Sequence, residues 1–369
     1  MRLFKTYLIG ALLAFSGAAY SLELRNTSEW PKTDFTNSSV DHDEILSGGP
    51  PKDGIPAIDK PTFVDSVTAS EWLGEKEPVI SIKIGDVARA YPLQILMWHE
   101  IVNDEIGDKA VSVTFCPLCN ASIVFDRDLD GVRYDFGTTG RLRRSDMVMY
   151  DRQTESWWQQ FTGEAIIGEL NGIKLNQIPS NIVSFEAFQK QFPKGEVLSK
   201  ETGFSRTYGR NPYAGYDDIN SSPFLFRGKL DKRLPPMERV LSLRSKEKTV
   251  LFALSALKDN PLVNSEFDGT QYAVFAFDSM NSALDKSDIS GSRLIPSAAI
   301  YRSMVADKQL TFEMKDGVVT DTETGSQWNI FGFAEKGELA GTQLEQLDHG
   351  VHFAFAWLAF DPEAEVFEH

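Results

Sequence analysis

Hydrophobic and polar residues alternate along most of this chain instead of recurring at helical spacing. Val79 to Ile84 and Ala110 to Phe115 both alternate, the period of two that puts every second side chain on one face of a strand. Ser122 to Phe125 and Val132 to Phe136 flank Asp128-Leu129-Asp130-Gly131. Two strand-like runs about an Asp-Gly turn predict a hairpin. Sustained helical periodicity is scarce, and short helices are expected only from Pro92 to about Asn103 and from Ile182 to Phe192. The pattern predicts an α+β, β-rich protein with few short helices.

The pattern also occurs twice. Asp151, Thr154, Ser156, Trp158 and Phe161 return as Asp321, Thr324, Ser326, Trp328 and Phe331. After a one-residue gap, Ala165, Gly168-Glu169-Leu170, Gly172, Leu175 and Gln177 return as Ala334, Gly337-Glu338-Leu339, Gly341, Leu344 and Gln346. Upstream, Val79 to Lys83 answers Val240 to Arg244. Such self-similarity predicts two tandem copies of one β-rich unit packed together. Copy one covers residues 60–200, and a degenerate copy two covers 235–369. Residues 22–60 are rich in turn formers and read as an ordered loop arm. The connector 201–234 carries Tyr208, Tyr213 and Tyr216, too aromatic for a free linker, and is expected to pack.

Charge and the amino terminus narrow the setting. With 53 acidic against 37 basic residues and a net charge of −16, nucleic acid and anionic lipid are disfavoured as partners. Arg2 and Lys5, the apolar run Leu8 to Phe15, and the small-residue end at Ala19-Tyr20-Ser21 predict a signal peptide over 1–21. A periplasmic or secreted protein starting near Leu22 is therefore expected. No later apolar run is long enough for a stable membrane insertion. No phosphate-cradling glycine loop or nucleophile elbow occurs, so no nucleotide cofactor is expected. The partner is left as a small molecule, a metal ion or another protein.

Comparing the copies isolates the candidate chemistry. Cys116 stands over Asp278 and Cys119 over Asn281, while copy two has Lys258-Asp259-Asn260 in the stretch corresponding to Met97-Trp98-His99-Glu100. Both cysteines and the histidine are missing from copy two together. Cys116-Pro117-Leu118-Cys119 between two strands resembles a knuckle that turns two sulfurs toward one metal. Cys116, Cys119 and His99 are the expected ligands of zinc or copper, with Glu100, Met147 or Met149 as possible additions. A thiol-disulfide oxidoreductase using Cys116 as attacking thiolate is an alternative, as is a buried, hydrogen-bonded His99 beside a structural disulfide. A third reading is a peptide or glycan binding module, with Arg141, Arg143, Arg144 and Trp157 offering anion or ligand contacts. His349 and His352 are spaced for a metal in copy two, with nothing nearby to support a site.

Several motifs carry a resemblance across almost the whole mature chain. Gly48-Gly49-Pro50-Pro51-Lys52-Asp53-Gly54-Ile55-Pro56, Ala88-Arg89-Ala90-Tyr91-Pro92-Leu93, Trp98 to Asp104, Cys116-Pro117-Leu118-Cys119-Asn120 and Met149-Tyr150-Asp151-Arg152 occur in order. In these the chain resembles the exported prokaryotic family labelled domain of unknown function 3179. The resemblance implies that Trp98-His99-Glu100 and the cysteine pair are motif positions. It brings no established activity with it.

Overall fold

The computed structural model describes residues 27–245, 248–277, 279–347 and 349–367. The leader expected over 1–21 and Asp278 lie outside the described residues. Among those described, short strands dominate and five α-helices are each no longer than seven residues.

Strand Pro78–Ile84 lies between antiparallel neighbours Asn181–Ser184 and Val87–Pro92, and the latter pairs in parallel with Glu196–Leu198. Strand Arg239–Arg244 lies likewise between His349–Phe353 and Thr249–Ala253, and the latter pairs in parallel with Glu365–Val366. Helix Leu93–His99 follows the first hairpin and helix Leu254–Asp259 the second. The same order of elements therefore occurs in both halves.

The shared residues build the same small device each time. Asp151 Oδ1 accepts the Thr154 amide at 2.6 Å and Oδ2 the Trp158 indole at 2.9 Å; Asp321 does the same for Thr324 at 2.6 Å and Trp328 at 2.9 Å. A buried carboxylate satisfied in this way ties a turn to a core indole.

The helices match the expected positions but are shorter, at Leu93–His99 and Phe185–Gln191. The expected hairpin across Asp130-Gly131 is only two residues a side, Asp128–Leu129 with Val132–Arg133. Strand Ala121–Asp126 instead pairs with Lys109–Cys116 and with Gln177–Ile178, because its wholly buried side chains belong in the middle of a sheet.

Core packing crosses between the halves. One cluster joins Cys116, Cys119 and Phe115 to Val240, Phe353 and Trp357. A second joins Val79, Phe185 and Phe188 to Phe275, Tyr301 and Trp328. The arm 27–60 wraps copy one: Ile45–Ser47 adds to strand Phe136–Arg143, and Trp30 packs edge-on against Tyr150 and Trp157. The connector packs on both halves, with Tyr208, Tyr213 and Tyr216 against the first cluster and Asp217 buried between Arg239 and Arg293 of copy two.

Candidate metal centre

Strands Lys109–Cys116 and Ala121–Asp126 are joined by Pro117-Leu118-Cys119-Asn120, with Cys116 opposite Ala121. Asn120 closes the turn in the left-handed region at φ 50°, where asparagine is among the better tolerated side chains. Copy two fixes this turn: the Cys119 carbonyl accepts from the Phe353 amide at 2.9 Å, and Asn120 Nδ2 donates to the Val351 carbonyl at 3.2 Å. Both cysteines are free and buried.

A second hairpin delivers a carboxylate. Strand Phe136–Arg143 turns into strand Asp146–Asp151 through Arg144 and Ser145, both left-handed at φ 54° and 69°. Two such residues make the tight turn that suits hairpin twist, normally filled by Asn-Gly. Holding Arg and Ser there stores roughly 1–3 kcal/mol per residue. Its effect is positional. The Ser145 carbonyl lies 4.0 Å from Cys116 Sγ, and Asp146 follows directly.

Cys116 Sγ, Cys119 Sγ and an Asp146 carboxylate oxygen lie within 4.8 Å of one another, all buried, a grouping that could hold a metal ion. Asp146 Oδ2 is well satisfied, by Gln159 Nε2 at 2.6 Å and the Phe161 amide at 2.9 Å. Asp146 Oδ1 is buried with no partner other than the thiols beside it, whose hydrogen bonds favour the carboxylate. A buried carboxylate oxygen met only by two thiols is placed as a metal ligand would be.

Electrostatics make the cluster an acidic pocket kept neutral by burial. Desolvation pushes Asp146 up to about 7, against the stabilising Gln159 and Phe161 donors. Desolvation, then the adjacent Asp146, pushes Glu100 up to about 8. Burial also raises the Cys116 thiol and, more strongly, that of Cys119. A cation at the centre would favour proton loss from these groups.

The remaining expected residues take other places. His99 is buried and uses both ring nitrogens, Nδ1 at 2.7 Å from the Pro56 carbonyl and Nε2 at 2.7 Å from the Tyr208 hydroxyl. A carbonyl only accepts, so Nδ1 carries the proton, and burial lowers the imidazole's pKa so that Nε2 accepts from Tyr208. His99 thus ties arm and connector together, and Asp146 stands with the sulfurs in its stead. Trp98 Nε1 similarly donates to the Arg210 carbonyl at 3.1 Å. Glu100 caps its helix at φ 58° and acts electrostatically on Asp146 and Cys116 without joining the three-residue group. Met147 and Met149 are buried in the cluster that contains both cysteines.

Arg143 and Arg144 pair with Glu44 at 2.9 and 3.2 Å, while Arg141 faces Ser47 and Val148 across the sheet. Trp157 lines no open groove, because Trp30 and Phe35 of the arm stack edge-on against it. In copy two, the His352 ring accepts from Trp357 Nε1 at 3.0 Å.

Asp146 escapes a comparison of the copies. An aspartate stands at the same offset in copy two, Asp316, so it counts as shared. Asp316 sits exposed in a two-residue turn at φ 51°, where Asp146 is buried in a strand. The contrast that isolates the cysteines therefore hides their neighbour.

Fold and centre together define the class: a β-rich α+β protein with one buried dithiol-carboxylate cluster among its described residues. No helix among those residues is long and apolar enough to cross a membrane. Residues 52–364 match the model of a family described as protein of unknown function, DUF3179, and the chain belongs to that family. No curated protein and no solved structure matches it.

Proposed function

We propose that this chain is an exported metal-thiolate protein that binds one divalent cation, zinc before copper, through Cys116, Cys119 and Asp146. The observation that carries this is the buried Asp146 carboxylate set within 4.8 Å of two free sulfurs, with one oxygen facing nothing but them. Zinc bonds of about 2.0–2.3 Å put tetrahedral donors roughly 3.3–3.8 Å apart, a spacing small side-chain rotations would give here. Two thiolates with a carboxylate suit zinc, whereas copper(I) prefers sulfur alone. An exported location, expected from residues 1–21, fits: a bound cation would protect vicinal thiols from oxidation. Thiol exchange is the weaker reading, because burial raises both thiols, whereas reactive cysteines have lowered pKa values.

Elemental analysis of the purified chain tests this. About one zinc per chain is expected, falling to near zero in Cys116→Ser and Asp146→Asn and retained in His99→Ala. Folded wild-type protein that takes up no zinc under reducing conditions would sink the proposal. N-terminal sequencing of exported protein should start near Leu22.

A further inference from the structure

The strained Arg144-Ser145 turn also borders a second place in the fold, away from the sulfurs. Arg144 lines a cavity of about 540 Å³ walled by the arm, the connector and the end of helix Ala354–Phe360. That volume lies in the range of pockets that hold small molecules. Leu46, Leu225, Phe226, Leu230 and Leu358 give it an apolar wall. Leu225 stands in the left-handed region at φ 52°, where a bulky side chain is an outlier. The Ser145 hydroxyl donates to the Phe224 carbonyl directly before it. Arg144 and Leu225, both strained and held by neighbours that bond each other, thus line one cavity, and strain of this kind gathers at ligand clamps.

Positive charge on this wall is under-compensated. Glu44 is paired with both Arg143 and Arg144, at 2.9 and 3.2 Å. Burial and then the Arg144 charge hold the Arg143 guanidinium below its usual range, and Arg143 Nε is buried without a hydrogen-bond partner. Two cations there share too little anion. Arg144 is fixed in place, with Nε donating to Glu44 and Nη1 to the Ala359 carbonyl, while its Nη2 makes no hydrogen bond among the described residues. A fork held in this way loses little freedom when it meets an anion. Of the other lining carboxylates, Asp231 is occupied by Arg233 at 3.0 Å and Asp43 is exposed. Arg227 and Lys229 line the cavity too, and neither makes an ion pair among the described residues.

We propose that this cavity binds an amphipathic carboxylate, an apolar body carrying one acid group, of the medium-chain fatty acid class. The acid group meets Arg144, with Arg227 and Lys229 adding attraction, and the apolar body covers the leucine wall. A half-exposed ion pair is worth little by itself, whereas each buried methylene adds to affinity. The tail therefore supplies the binding and the arginine selects the head group. The site does not depend on a bound metal.

Calorimetric titration of the full-length protein with decanoate, kept below micelle-forming concentrations, tests this. Decanol is the uncharged match and butyrate the match without a tail. Decanoate should bind at one site, with decanol and butyrate half-saturating at concentrations at least about tenfold higher. Arg144→Gln should raise the decanoate half-saturation about tenfold and leave decanol unchanged. Arg227→Gln combined with Lys229→Gln, both at exposed positions, should raise it about threefold, an effect that added salt erases. Circular dichroism checks that each variant is folded, and if Arg144→Gln does not fold the exposed pair decides alone.

Absence of saturable decanoate binding overturns the proposal, as does uptake of many decanoates per chain, which marks surfactant adsorption. Decanol binding as tightly as decanoate refutes the carboxylate head, and butyrate binding as tightly refutes the tail. Wild-type affinity in the folded variants refutes the location. A chain that dimerises on gel filtration and takes no decanoate gives this face to a second copy.

Discussion

Asp146 is held by a pair of donors on one oxygen and meets only the two thiols with the other, and this asymmetry makes its substitution informative. Asp146→Asn keeps the volume but replaces an anionic donor, so zinc affinity should drop at least about 100-fold, beyond what loss of an outer-sphere partner costs, with little change in the circular dichroism spectrum. His99→Ala should keep zinc stoichiometry while costing about 1–3 kcal/mol in urea melts, since the Pro56 carbonyl and Tyr208 hydroxyl lose their partner.

The carboxyls also set a pH dependence for metal-free protein. Asp146 and Glu100, pushed to about 7 and about 8, hold protons in the fold at pH values where the unfolded chain has released them. The folded state binds more protons, so stability is greatest below the ordinary carboxylate range and falls as pH rises through 7 and 8. Melting of chelated protein should therefore occur at lower temperature at about pH 8.5 than at about pH 5, and Asp146→Asn should flatten part of that slope. Saturating zinc should reverse it, because ligands bind the metal deprotonated.

At the scale of the element, the duplicated turn shows how architecture separates from function. Gly168 and Gly337 both sit at positive φ, 104° and 97°, and an added Cβ would lie 2.8 Å from Ser156 Oγ and 2.5 Å from Ser326 Cα. Gly168→Ala and Gly337→Ala should each destabilise the protein by about 2–3 kcal/mol through strain and overlap, read as a shifted urea midpoint. Zinc stoichiometry of the folded variants should be unchanged, because neither turn touches the centre. Matching losses would mark the turn as scaffold in both halves. By contrast, the Arg144-Ser145 turn is strained only where a carboxylate must meet two sulfurs, and copy two uses Asp316-Gly317 in its hairpin, a pair that accepts positive φ more easily.

At the scale of the whole molecule, the first half is not a self-sufficient unit. Its cysteine turn hangs from the Phe353 amide and Asn120 bonds the Val351 carbonyl. Phe353 and Trp357 also complete the core around Cys116. A chain ending before Arg239 should expose both thiols to a thiol reagent within seconds and aggregate, whereas the folded full-length protein should react slowly.

Much of this was legible in the sequence. Alternation marked the strands, because a two-residue period has only one structural meaning over five or six residues. The repeat separated Trp158 and Trp328, which serve the core, from the unpaired cysteines. Asp146 and the true partner of His99 were not legible, since both depend on contacts between segments far apart in the chain: Cys116 with Asp146, His99 with Pro56 and Tyr208.

The sequence by itself determined the strand pattern, the duplicated turn and the placing of two sulfurs on one tight loop, since these are local consequences of side-chain period, turn chemistry and spacing. The third donor at the centre, and the employment of His99 as a strut, were decided only by the tertiary structure. Burial and the strained Arg144-Ser145 turn bring Asp146 to the sulfurs, and neither burial nor a distant hairpin's register is written in any single stretch of chain.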